Sequence, residues 1–182
     1  GDLPARTGVG SSSAFTVGLL NALYALEGIM STKRQLALNA VHIEQDILKE
    51  SVGSQDQVEA AFGGLNLITF GGREHIHVRP VTIDIERIEL LHDHLMLFFT
   101  GFSRNASDIA KEQIKITPYK KKELKMMHSM VNRAVEILNS RWPIEKFGKL
   151  LHESWMIKRT LSCKITNNAI DDIYAAARSA GA

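Results

Sequence analysis

The sequence predicts an α+β fold on three observations. Strand-like segments concentrate in the first half, helical periodicity fills most of the second, and a Gly-Gly pair joins two β-rich runs as a hairpin would. Residues 1–10 are rich in glycine and turn formers. Ala14, Val17, Leu20 and Leu23 then recur at helical spacing, so a loop opens into a helix near Ser11 to Ser13. Thr32 with Gln35 forms a capping-box pattern that opens a second helix. Its expected apolar stripe is Leu36, Ala40, Ile43, Ile47 and Leu48, and Gly53 is its expected stop. Asp56 to Phe62 reads as a short helix closed by Gly63-Gly64. Asn66 to Phe70 and His75 to Val81 read as strands joined through Gly71-Gly72.

The segment Asp84 to His92 fits helix or strand, and Leu95 to Thr100 has the pattern of a buried strand. Thr117-Pro118 predicts a helix start, with the helix running to about Leu138. Pro143 predicts another helix to about Leu161, and Asn167 or Asn168 caps a last one that Gly181 would close. A boundary within 82–94 divides the chain into parts 1–90 and 91–182. There is no internal repeat and no low-complexity tract. The first residues lie inside a motif and the last follow a helical pattern, so both ends read as cuts and the chain as the central portion of something longer.

The chain has 182 residues, 45% of them hydrophobic, enough to fill a core. No apolar run approaches the roughly 20 residues of a membrane span, which argues against a membrane role. Lysine and arginine number 22 against 20 acidic residues, so net charge gives no reason to expect a nucleic-acid partner. The single cysteine, Cys163, has no partner for an internal disulfide, which fits a reducing cytoplasm. No motif speaks to oligomeric state.

The most informative stretch is Pro4-Ala5-Arg6-Thr7-Gly8-Val9-Gly10-Ser11-Ser12-Ser13-Ala14. Its glycines let the backbone approach a ligand closely, and the amides that follow stand unpaired at the positive end of a helix. That combination can cradle phosphate, with the serine hydroxyls as further donors or as hard ligands for Mg²⁺. It lacks the Gly-Lys-Ser/Thr of a Walker loop. The same residues would also suit a glycine-serine loop with a capping serine, and local chemistry leaves both readings open.

The stretch resembles the second signature of the GHMP superfamily of small-molecule kinases, Pro-x3-Gly-Leu-Gly-Ser-Ser-Ala, with Val9 in place of the leucine and Ser13 in place of the alanine. The resemblance implies that Gly8, Val9, Gly10, Ser11, Ser12 and Ser13 wrap the phosphates of ATP and that Ser12 helps hold Mg²⁺. Gly53-Ser54-Gln55-Asp56-Gln57 is similar to the Gly-x-x-Asp-Gln of the family's sugar kinases, which implies Asp56 as the base for the acceptor hydroxyl. By itself that aspartate would equally suit a turn or an N-cap. Glu44 sits beside the apolar stripe of the second helix, where a glutamate is either solvated at the edge or held inward by a cation. The family places its second metal carboxylate near this point, which makes Glu44 the metal candidate.

Phe99-Thr100-Gly101-Phe102-Ser103-Arg104-Asn105-Ala106-Ser107, the run from Gln55 to Gly64 and the helix Leu150 to Arg159 together look like the D-glycero-D-manno-heptose 7-phosphate kinase branch. That branch phosphorylates the anomeric hydroxyl of a sugar already bearing a phosphate. A basic clamp is thereby implied, with Arg104, Lys158 and Arg159 as candidates. The implied architecture is a ribosomal-S5-like α+β domain followed by a ferredoxin-like one, the chain holding the later part of the first and the earlier part of the second.

The pairs His75-x-His77 and His92-x-His94 have a spacing that could bind zinc from one strand face, but surface imidazoles are the plainer reading. Lys120-Lys121-Lys122 reads as a solvated helix start, and Met126, Met127 and Met130 as packing. The expected function is transfer of the γ-phosphate of ATP, with Mg²⁺, to the hydroxyl of a sugar or sugar phosphate. A galactokinase, fucokinase or mevalonate-type relative and a non-catalytic sugar- or nucleotide-binding relative are the alternatives. An intact Asp56 favours a catalyst.

Overall fold

The structure is a computed structural model that describes residues 8–72, 75–100 and 106–182, without the side chains of 106–109. Contacts divide the chain into two compact units, Gly1–Val81 with Phe102–Ala110 and Thr82–Gly101 with Lys111–Ala182.

In the first unit, Gly10 adopts φ 71° and ψ 17°, a left-handed turn that glycine accepts without strain, and α1 (Ser11–Leu26) starts directly after it. The centre of the expected stripe of α1 turns inward and its ends do not. Val17 is buried and Leu20 half-buried, whereas Ala14 is exposed and Leu23 is 48% exposed. Ser13 and Tyr24 take the places of those two on the inward face. The phenol of Tyr24 accepts a hydrogen bond from Asn39 Nδ2 at 2.5 Å, which ties α1 to α2 (Lys33–His42). At the start of α2 the Thr32 hydroxyl accepts from the Gln35 amide at 3.1 Å, as the capping pattern predicts.

After α2 the helix widens into a π turn, Ile43–Ile47, and Leu48 N donates to Ile43 O five residues back. The widening changes which side chains face the core. Leu36, Ala37, Ala40, Val41 and Glu44 are buried, whereas Ile47 and Leu48 are 62% and 58% exposed. The expected stripe therefore fails at its C-terminal end, and the helix stops well before Gly53. The connection then runs through Lys49, which holds a left-handed φ of 57°.

α3 (Gln55–Phe62) closes on Gly63 and Gly64, with φ 63° and 81°. It packs against both α1 and α2. Val58 at its centre is fully buried. The hairpin follows as predicted: β1 (Asn66–Phe70) pairs antiparallel with β2 (Ile76–Pro80), in the register Asn66↔Pro80 to Phe70↔Ile76. At the turn the Gly71 amide donates to His75 O.

In the second unit, the ambiguous stretch resolves as helix α4 (Ile85–Asp93). His92 therefore ends a helix and His94 follows it, so the two do not share a strand face. No cluster of three metal-ligating side chains exists among the described residues. Leu95 to Thr100 is not a buried strand: it is irregular, and Leu95, Met96, Leu97, Phe98 and Phe99 are all more than half exposed. A strand must find partners for its amides and carbonyls, and none of the described residues pairs with this run.

α5 (Ala106–Ile116) was not expected as a separate helix. It ends in a 3₁₀ turn, Thr117–Tyr119. Thr117 is consequently not an N-cap; its hydroxyl donates back to Gln113 O at 2.8 Å. α6 (Lys121–Asn139) begins after Lys120, which pairs with Glu123 at 3.2 Å. The backbone amide of Glu123 itself, then Lys120, holds that carboxyl below its ordinary range, as suits an acid in a helix's first turn.

Ile137 and Leu138 of α6, Ile144, and Leu150 of α7 (Glu145–Lys158) are buried, and α6 packs on α7. Arg87 of α4 reaches the end of α6 and donates to Ile137 O at 2.9 Å and Trp142 O at 2.8 Å. α8 (Asn168–Ser179) is capped by Asn167, which accepts from the Ile170 amide, and Gly181 takes φ 103° after its end. No helix among the described residues is long and apolar enough to cross a membrane.

Candidate functional site

The expected site residues of the first unit converge where α1, α2 with its π turn, and α3 pack together. Gly8 and Gly10 both hold left-handed backbone, φ 78° and 71°, on an exposed approach to α1. Among the described residues no side chain caps the helix start. The amides of Ser11, Ser12 and Ser13 have no intrahelical acceptor and stand at the positive end of a helix of 16 residues. Val9 is 45% exposed beside them. This is the geometry an anion-binding loop requires.

Asp56 stands in the first turn of α3, with its side chain exposed. It lies against the loop: a Cβ built on Gly10 would be 3.5 Å from Cβ, Cγ and Oδ2 of Asp56. The structure therefore brings the base candidate and the second glycine of the phosphate loop into van der Waals reach. Gln45 Nε2 donates to Val52 O at 2.9 Å and to the Ser54 hydroxyl at 3.3 Å, which fixes the connection leading into α3. An open groove lined by Gln45, Ser54, Gln55, Phe70 and Ile76 lies between that connection and the hairpin. Gln55, the residue before Asp56, is part of its wall.

Glu44 is not at the edge of its helix but inside, only 2% exposed. Its Oε2 accepts from Ser13 Oγ at 3.1 Å and from Gln57 Nε2 at 2.5 Å. Its Oε1 is buried and has no hydrogen-bond partner among the described residues, and the same holds for Oε1 of Gln57. Two unsatisfied hard oxygens in one buried cluster fit a Mg²⁺-binding role, since that ion is held by one or two carboxylates together with substrate phosphate oxygens. Ser12, expected beside Glu44 at the metal, is exposed, and the hydroxyl that touches Glu44 belongs to Ser13.

Two members of this cluster had no such role assigned from the sequence. Ser13 was placed only among the phosphate-loop residues, and Gln57 only inside a motif. The available signal was the burial pattern itself. Ser13 lies on the same inward face of α1 as Val17, and Gln57 precedes the fully buried Val58.

Of the clamp candidates, Arg104 lies outside the described residues. Lys158 ends α7 and is exposed. Arg159 is held by Asp171 at 2.8 Å, and the same Asp171 oxygen accepts from Thr166 Oγ1 at 2.7 Å. A guanidinium so engaged is less available for a ligand phosphate than the neighbouring Lys158.

Residues 1–64 match the family described as GHMP kinases N terminal domain. The whole chain is 30% identical over 183 residues to the D-glycero-alpha-D-manno-heptose 7-phosphate kinase of Campylobacter jejuni, and it spans about half of that protein's length, 54%. A crystal structure of a Campylobacter jejuni protein assigned as a sugar kinase superposes with a TM-score of 0.62 over 96% of this chain and 49% of that one; at 23% identity it speaks to the fold alone. The chain is thus similar to the N-terminal domain of the GHMP kinases over its first 64 residues, the stretch that includes the glycine-serine loop, α1 and α3.

Proposed function

We infer that the chain belongs to an ATP-dependent sugar kinase, with the phosphates of ATP on the loop from Gly8 to Ser13 and the acceptor sugar beside Asp56. The observation that carries this reading is the contact between Gly10 and Asp56, which sets a carboxylate next to a left-handed glycine at a helix N-terminus. In such a site the acceptor hydroxyl gives its proton to the Asp56 carboxylate, its oxygen bonds to the γ-phosphorus, and ADP leaves. Most of the rate comes from alignment and charge neutralisation. Mg²⁺, held through Glu44 and Ser12, would neutralise the phosphate charge. The acceptor fits the groove of Gln45, Ser54, Gln55, Phe70 and Ile76, where amides and a hydroxyl can bind sugar hydroxyls and Phe70 offers an apolar face.

Similarity to a heptose 7-phosphate kinase favours the anomeric hydroxyl of a heptose 7-phosphate as the acceptor, in nucleotide-activated heptose synthesis. On this reading the phosphate of the sugar meets Arg104, Lys158 or Arg159. The test is a coupled ADP-release screen of the full-length protein against sugars and sugar phosphates. ADP release with a sugar 7-phosphate and not with its dephosphorylated form supports the acceptor. Binding of ATP without release on any member of the panel would instead make the protein a non-catalytic binder.

A further inference from the structure

We propose that Ser13 and Gln57 are positioning residues for Glu44: from two different helices they fix one carboxylate oxygen, so that the other is presented to the cation of the nucleotide. The inference rests on the kinase reading, in which Glu44 is a metal ligand. Both donors converge on the same atom, Oε2, at 3.1 Å from Ser13 and 2.5 Å from Gln57. Two bonds from α1 and α3 leave the carboxylate little freedom to turn. All three residues are at least nine-tenths buried: Ser13 at 5%, Glu44 at 2% and Gln57 at 1% exposure.

The two donors are neutral. They satisfy one oxygen without cancelling the charge, and Oε1 remains buried without a partner among the described residues. A cation meets that demand. Gln57 adds a second oxygen that none of the described residues satisfies, its own Oε1, in the same cluster. The π turn contributes too. Glu44 O accepts from Glu50 N at 2.9 Å, so the main chain that carries the carboxylate is held as well as its tip. Ser13 stands where the GHMP signature has alanine, so this arrangement adds a hydroxyl to the common pattern.

Partners that orient a metal-bound side chain typically set affinity by 10- to 100-fold when removed. The test uses Ser13→Ala, which removes one donor with little loss of volume, Gln57→Met, which keeps the shape without the amide, and Glu44→Gln. For each full-length variant, Mn²⁺ affinity is read by electron paramagnetic resonance with a non-hydrolysable ATP analogue. Metal-free analogue binding and the metal-free thermal midpoint are measured beside it. Weakening of Mn²⁺ binding by about tenfold in Ser13→Ala and Gln57→Met, with metal-free binding retained and a larger loss in Glu44→Gln, supports the proposal.

If Glu44→Gln loses Mn²⁺ while the other two bind it normally, Glu44 is a ligand that needs no positioning and the proposal falls alone. If Glu44→Gln binds Mn²⁺ as the wild type does, the metal reading and this inference fall together. A purely structural role would lower the thermal midpoint without moving Mn²⁺ affinity, which also overturns the proposal. Should Gln57→Met unfold, the milder Ser13→Ala decides.

Discussion

Gly10 and Asp56 face each other closely enough that a methyl group on the glycine would touch the aspartate's side chain at 3.5 Å. That separation is ordinary contact, so an alanine there is opposed by its backbone angle, not by crowding. At φ 71° an L-residue is disfavoured by roughly 1–2 kcal/mol. The loop can relieve this only by turning away from the conformation that aims the Ser11 to Ser13 amides outward. Gly10→Ala should therefore raise KM for ATP several-fold while changing the far-ultraviolet circular dichroism little. An unchanged KM would show that the loop does not depend on the left-handed turn.

Asp56→Asn keeps the shape of the side chain but cannot take up the acceptor's proton. Transfer should fall on the order of 10²-fold or more, with the ATP dissociation constant close to wild type because the nucleotide contacts lie on the loop. The measurement is kcat of the full-length variant alongside nucleotide binding. Near-normal kcat would sink the base assignment and leave alignment alone to account for the reaction.

The clamp can be located by comparing Arg104→Ala, Lys158→Ala and Arg159→Ala on a sugar phosphate and on its unphosphorylated analogue. A residue that binds the acceptor's phosphate should penalise the first substrate far more than the second. Because Arg159 is already bound by Asp171, its removal should cost the least selectivity of the three. Equal losses on both substrates for all three variants would move the clamp elsewhere.

Arg87→Met tests a structural device of the second unit. The arginine donates to Ile137 O and Trp142 O, the first of them a carbonyl in the last turn of α6 that otherwise accepts from the amide and hydroxyl of the capping Ser140. Losing a charged donor to two carbonyls should destabilise the protein by about 2 kcal/mol, read as a shift of the urea midpoint. A change below about 0.5 kcal/mol would place Arg87 with ordinary surface residues.

What could be read from the sequence was local chemistry. Thr32 with Gln35, Asn167 before α8, Gly63-Gly64 after α3 and the Gly71-Gly72 hairpin are each fixed by neighbours within a few residues, and each stands in the structure as expected. The left-handed glycines that open α1 were legible for the same reason. What depended on distant partners was not. The apolar run from Leu95 to Phe99 has a strand's composition, yet composition does not say whether a neighbouring strand will take up its backbone groups. Thr117-Pro118 has the chemistry of a helix start but follows a helix that had not been foreseen, so its hydroxyl turns back instead of forward. The outward position of Ile47 and Leu48 was hidden because a uniform 3.6-residue period cannot represent a π turn.

That π turn also gives the helix a spare residue. A π turn is in effect one residue more than an α-helix needs over the same rise. Deleting Ile47 would let the segment close into regular helix over that rise, so the connection to α3 would keep its place. Ile47 and Leu48 are exposed and could be exchanged for other residues at little cost. A residue lost from α2 would instead turn everything after it by roughly 100° and carry Glu44 away from Ser13 and Gln57, so a deletion should be tolerated at Ile47 and not one turn earlier.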